Sequence, residues 1–219
     1  MDLNEFKETL TEGLESNNIK LDLNKEKTVL LYKYMKFILN KNEYINLTAI
    51  KDEHEFIYKH YIDSLYLTQY ISKGRLIDIG TGAGFPGLPL LIALDEIEVV
   101  FLDSKNKKLK IIEEFVLENE LKRASFIHGR AEKIKEDYNF QNQFDFVATR
   151  AVSNIKNIID YSVPYLNSTG TGLGMRGMID LEERSIIQNN KKIEQLVEYY
   201  IIDKKQNIQY KRSLLILKH

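Results

Sequence analysis

Leu76-Ile77-Asp78-Ile79-Gly80-Thr81-Gly82-Ala83-Gly84-Phe85-Pro86-Gly87 decides how this chain is read. An apolar run with an acid inside it breaks into four glycines within eight positions. A second apolar run, Val99-Val100-Phe101-Leu102, closes on Asp103, 23 positions after Gly80. A glycine-rich turn leaving a first strand, with an acid ending the next, makes a site for a ribose-bearing cofactor.

The pattern on either side supports a sheet. From Arg75 onward, strand candidates alternate with helical stretches: Arg75–Ile79, Val99–Asp103, Ser125–His128, Phe144–Thr149 and Gly172–Arg176. The clearest intervening helix is Lys105–Glu120, with Leu109, Ile112 and Val116 on its inward face. Such alternation predicts a parallel sheet covered on both faces. Two further strands, Val197–Ile202 and Leu214–Leu217, follow each other across the polar stretch Asp203–Tyr210 and are expected to pair antiparallel.

Upstream, the rhythm is helical. Leu3, Phe6, Leu10 and Leu14 form one stripe, which Asn17-Asn18 ends. Asn24 is placed to cap a second helix that buries Leu30, Tyr34, Phe37 and Ile38. Asp52 and Glu55 have the spacing of a capping box, and a third helix is expected to run from there to about Tyr70. Ser72-Lys73-Gly74 breaks it. The division expected is a helical extension over 1–73 and a catalytic domain over 74–219.

Composition excludes several classes. There is no cysteine, so disulfides, thiol nucleophiles and cysteine-held metals are ruled out. Met1-Asp2-Leu3-Asn4-Glu5-Phe6 has neither the basic nor the apolar region of a secretory signal. The longest apolar stretch, Leu88–Leu94, is far short of the roughly 20 residues that span a bilayer. A cytoplasmic protein without membrane attachment is expected. The formal net charge is −1, and residues 1–73 carry 10 Lys/Arg against 12 Asp/Glu, so bulk charge does not advertise a nucleic-acid partner.

The prolines choose among cofactors. A dinucleotide rests its pyrophosphate on backbone N–H groups at a helix N-terminus, and Pro86 and Pro89 each remove one such donor. S-adenosylmethionine has no phosphate. It needs close backbone approach, which glycine permits, and an acid for its ribose hydroxyls, the role open to Asp103. After the third strand, Gly129-Arg130-Ala131-Glu132 is placed to border the adenine. After the fourth, Thr149-Arg150-Ala151 faces the cofactor's reactive end, where Arg150 can orient a substrate or hold the cofactor carboxylate.

These pieces, in order, resemble one family. Asp-Ile-Gly-Thr-Gly-Ala-Gly-Phe-Pro-Gly (78–87), Leu-Asp-Ser (102–104), His-Gly-Arg-Ala-Glu (128–132) and Thr-Arg-Ala-Val (149–152) are similar to the GidB/RsmG family of 16S ribosomal RNA guanine-N7 methyltransferases. Asn46-Leu47-Thr48-Ala49-Ile50 and His60 with Asp63-Ser64-Leu65 match as well. The resemblance implies a class I S-adenosylmethionine-dependent methyltransferase fold, an α/β Rossmann-like, mostly parallel seven-stranded sheet with an N-terminal helical extension. It implies methyl transfer to N7 of a guanine in the 530-loop region, on 16S ribosomal RNA or a small-subunit particle, by a monomer that holds no metal. Carried over by position, cofactor contacts fall on Gly80, Phe85, Ala131, Glu132 and Arg150, with Asp103 as the ribose acid and Gly82 and Ser104 beside them. Arg176 stands where the family usually shows lysine, which keeps the cation.

The chemistry suits these residues. Guanine N7 is a free lone pair, so attack on a sulfonium methyl needs alignment and no general base. Arg150 is accordingly assigned positioning, and His60, three residues before Asp63, a structural hydrogen bond. A small-molecule methyltransferase on the same fold is the main alternative. A nicotinamide oxidoreductase is disfavoured by Phe85 and the prolines, and a non-catalytic RNA-binding module would take up no methyl label.

Overall fold

The glycine turn leaves the carboxyl end of a central parallel strand, at the point where the strand order reverses. The computed structural model describes every residue except Tyr138 and Ser153. Its seven strands are β1 (Lys73–Ile79), β2 (Glu96–Asp103), β3 (Ala124–His128), β4 (Phe144–Arg150), β5 (Leu166–Arg176), β6 (Ile193–Asp203) and β7 (Ile208–Lys218). They form one sheet in the order β3-β2-β1-β4-β5-β7-β6. β1 to β5 are parallel neighbours, while β7 runs antiparallel to both β5 and β6. β1 lies between β2 and β4, with Ile79 level with Leu102 on one side and Thr149 on the other. Ligands bind such sheets in the crevice beyond this reversal.

Three helical stretches precede the sheet. In α1 (Leu3–Ser16), Asp2 accepts hydrogen bonds from the N–H groups of Asn4 and Glu5. In α2 (Lys25–Asn42), Asn24 accepts from Lys27 N–H at 2.9 Å. These caps satisfy backbone donors that a helix start leaves open. The buried face of α2 is centred on Leu31, Tyr34, Met35 and Ile38, while Leu30 and Phe37 flank it half-buried. The helices share one continuous core with the sheet's near face, running from Phe6 through Tyr34 and Phe85 to Phe101.

The third stretch, α3 (53–69), departs from the expected regular helix. It opens as α-helix over Glu53–Phe56 with Asp52 as its cap, widens to a π-helix over Ile57–Ile62, returns to α over Asp63–Leu65 and closes as 3-10 helix over Tyr66–Gln69. The wider turn is seen at Asp63, whose N–H reaches the Tyr58 carbonyl five residues back. Such turns are common at functional sites. Of the tyrosines on and near this stretch, Tyr58 and Tyr61 are fully buried and Tyr44 is 82% exposed.

Among the described residues the remaining α-helices are α4 (Gly87–Ala93), α5 (Asn106–Glu118), α6 (Ala131–Ile134), α7 (Ile155–Ser162) and α8 (Leu181–Asn189), and a 3-10 turn over Val163–Tyr165 follows α7. The last two strands pair antiparallel as expected, but are far longer than the apolar patches at 197–202 and 214–217. The stretch read as a loop shrinks to the turn between Asp203 and Ile208. Arg212 and Tyr210 in β7 are polar, yet they pair with Tyr199 and Ile201. Likewise β5 begins at Leu166, six residues before the expected Gly172.

Candidate active site

The turn after β1 is built around one buried carboxylate. Asp78 Oδ2 accepts from the Thr81 hydroxyl at 2.7 Å and from Gly87 N–H at 2.9 Å, tying the turn's start to the first residue of α4. Burial pushes Asp78 up to about 6, against the pull of those two hydrogen bonds. A side chain at position 87 would come within 2.7 Å of Asp78 Oδ2 and of the Phe101 ring, so only glycine fits.

Across the turn, Asp103 ends β2. Its Oδ2 accepts from Gly82 N–H at 2.9 Å and its Oδ1 from Lys105 N–H at 2.8 Å. Each carboxylate oxygen has lone pairs for a further partner. Gly80, with φ of 71°, opens the other wall, and a Cβ there would meet nothing within 4 Å. The backbone is thus bare where a ligand would approach. A cleft of about 180 Å³ lies here, lined by Gly80, Asp103, Ser104, Ala131 and Glu132 among others. Glu132 accepts a 2.7 Å hydrogen bond from the Tyr161 hydroxyl, which lowers the carboxyl's pKa and raises that of the phenol. Tyr161 also lines the cleft, and the sequence offered no sign of it.

Arg150 lies on a second, larger cleft of about 500 Å³, with Lys59, His60, Asp63, Arg176 and Arg212 around it. Val152 lines both clefts. The Arg150 guanidinium donates from Nη1 to the Lys59 carbonyl at 3.1 Å and from Nη2 to His60 Nδ1 at 2.9 Å. Asp63 stands 3.6 Å from Arg150 and accepts from Arg212 Nε at 3.2 Å. Among the described residues no side-chain hydrogen bond joins His60 to Asp63; the His60 ring pairs with Thr48 and Arg150, and the Asp63 N–H meets the His60 carbonyl through the backbone alone. Both side chains converge on Arg150 instead. Asp63 and Arg212 are site residues that the sequence reading did not assign.

Two expected residues act from beneath. Phe85 is 2% exposed, and its ring stacks on His60 at 4.2 Å with Arg150 5.0 Å above it, so its side chain lines neither cleft. Gly82 shares the site through its N–H to Asp103. Gly80, Asp103, Ser104, Ala131 and Glu132 therefore come together, Arg150 occupies the adjoining cleft, and Phe85 supports it.

The second cleft gathers charge that the net balance conceals. Lys59, Arg150, Arg176 and Arg212 line it. Among the described residues Asp63 pairs with Arg150 and Arg212, Glu55 with Lys59, and Glu183 with Arg176. Among the described residues no helix is long and apolar enough to cross a membrane.

The residues of both clefts lie within 27–215, the span matched by the family model for GidB, rRNA small subunit methyltransferase G. The chain belongs to this family. Relatives carry the family through most of the length. A ribosomal RNA small subunit methyltransferase G from Alkaliphilus oremlandii is 37% identical over 182 residues, covering 82% of this chain and 75% of the relative. Another, from Alkaliphilus metalliredigens, is 33% identical over 205 residues, covering 92% and 84%. The fold extends beyond the methyltransferase G family. The structure of precorrin-6y C5,15-methyltransferase from Geobacter metallireducens superposes with a TM-score of 0.53 at 11% identity, covering 72% of this chain and 87% of that one. At that identity the likeness shows the fold alone. As a member of the methyltransferase G family, the chain is an S-adenosylmethionine-dependent methyltransferase.

Proposed function

We propose that this protein transfers the methyl group of S-adenosylmethionine to N7 of a guanine in the 530-loop region of 16S ribosomal RNA. The observation that carries the reading is the pairing of a carboxylate at the tip of β2 with a bare glycine backbone, beside a cleft rich in arginine. Bound in the first cleft, S-adenosylmethionine supplies an electrophilic methyl on a sulfonium. Asp103 accepts from the ribose hydroxyls with the lone pairs its backbone partners leave. Gly80 lets the ligand approach the main chain, and Ala131 and Glu132 border the adenine. Ser104 and Gly82 complete the wall.

The second cleft receives the target nucleotide. Guanine N7 carries no proton, so the chain's task is alignment, which can supply on the order of 7–11 kcal/mol. Arg150 orients the reacting groups from the wall of this cleft. Lys59, Arg176 and Arg212 add positive potential where phosphates pass, a local source of RNA affinity within a chain of net charge −1. Residues 1–73 serve as an extension that buttresses the catalytic part, 74–219. The protein works as a cytoplasmic monomer on the RNA or on the small-subunit particle.

Transfer of tritiated methyl to ribosomal RNA lacking the modification, with mapping of the labelled nucleotide, tests the reading. Label at one guanine N7 in the 530 loop is expected. Label only on a metabolite pool, and none on RNA or particles, overturns it in favour of a small-molecule acceptor.

A further inference from the structure

His60 is buried at 7% exposure, and its partners dictate its protonation. An arginine can only donate, so the 2.9 Å contact between Arg150 Nη2 and His60 Nδ1 requires a lone pair on Nδ1. The ring proton must then sit on Nε2, which lies 2.8 Å from the Thr48 hydroxyl oxygen and donates to it. The same oxygen accepts from Ile50 N–H at 3.1 Å. The chain Thr48–His60–Arg150 therefore has one consistent direction, with the imidazole neutral.

We propose that His60 is a positioning residue for methyl transfer: its Nδ1 lone pair aims the Arg150 guanidinium into the substrate cleft without neutralising it. The proposal rests on the methyltransferase reading above. A carboxylate in the same place would hold the arginine as firmly, but would cancel its charge. The neutral ring avoids this, and the one nearby acid, Asp63, is shared with Arg212. The other contacts fix the plane of the guanidinium. The Lys59 carbonyl accepts from its Nη1, and the Phe85 ring lies beneath it. Phe85 stacks parallel to His60, at an interplanar angle of 4°, so one aromatic face carries both partners.

The groups facing His60 all oppose a second proton. Burial comes first, then Arg150 from β4, Lys59 from its own helix and Arg212 from β7, and together they hold the imidazole well below its usual range. Asp63 faces Arg150 and Arg212, and the Phe56 and Phe85 rings and Thr48 supply no charge. Thus Arg150 keeps its neutral acceptor throughout the neutral pH range.

Two measurements on the full chain test this. Imidazole nitrogen NMR of the wild-type protein at pH 7 is expected to show His60 neutral, with its proton on Nε2. A proton on Nδ1, or an imidazolium, overturns the proposal whatever the activity. The second is methyl transfer at saturating S-adenosylmethionine and RNA. His60→Asn can place an amide oxygen where Nδ1 stood, and His60→Leu cannot. The Leu variant is expected to lose about tenfold or more in kcat, with its cofactor Kd unchanged, and the Asn variant to recover most of that loss. An Asn variant as slow as the Leu variant, or a Leu variant as fast as wild type, overturns the proposal. Should wild-type protein transfer no methyl to RNA, the functional reading fails, and the NMR result still judges the His60 arrangement.

Discussion

Asp103 holds Gly82 and Lys105 by their N–H groups, so it shapes the turn as well as facing the cleft. Asp103→Ala removes a charge-assisted acceptor worth on the order of 1.5–3 kcal/mol, and S-adenosylmethionine is expected to bind roughly ten- to a hundredfold more weakly in calorimetry. Unchanged affinity would take Asp103 out of the site. Asp78 makes a different prediction, because burial raises its pKa. Between its ordinary value and about 6 the folded protein holds more proton than the unfolded chain, so this residue's contribution falls as pH rises through that window. In urea unfolding at pH 4.5 and pH 7, Asp78→Asn should gain on wild type by about 2 kcal/mol at the higher pH. An identical difference at both pH values would show that burial does not strain this carboxylate. The acids of the turn were legible as residues because their spacing to glycine is local. Arg212 and Asp63 were not, because 149 positions of chain separate two side chains that only the fold brings together.

At the scale of the element, α2 supports the turn from outside. The Tyr34 hydroxyl donates to the Ala83 carbonyl at 2.8 Å, and its ring meets Phe115 edge-on at 4.7 Å. Gly84 has φ of 77°, and a Cβ there would stand 2.5 Å from that hydroxyl. Gly84→Ala should therefore destabilise by about 2 kcal/mol or more through backbone strain and overpacking. Part of this cost should vanish when Tyr34→Phe is added, which a double-mutant cycle in urea would read as coupling; purely additive changes would mean the clash is relieved elsewhere. Helices and inner strands were legible from apolar periodicity and caps such as Asp52 and Asn24. The π-turn over Ile57–Ile62 was not. Nothing in its residue types marks the wider turn; partners distant in sequence, Arg150 among them, use the Lys59 carbonyl and the His60 ring. The outer strands outrun their apolar stretches for a related reason: near the sheet's edge β6 and β7 carry exposed polar residues, so the apolar signal fades before the pairing does.

Across the whole molecule, one side chain joins the first helix to the far edge of the sheet. Asn17 donates to the Ile202 carbonyl at 2.9 Å and accepts from Ile202 N–H at 2.7 Å, across 185 positions. Asn17→Ala deletes both bonds and is expected to cost about 2 kcal/mol, read as a lowered urea midpoint with an unchanged slope. No loss would mean that water replaces the pair freely. The strand order carries a broader consequence. β7 is wedged between β5 and β6, although it follows both in the chain. Residues 193–203 consequently have no template until 208–218 are in place. A stop codon at 208 would open the sheet along β5 and orphan β6 together, so its damage would resemble a lesion through the middle of the protein more than a trimmed tail.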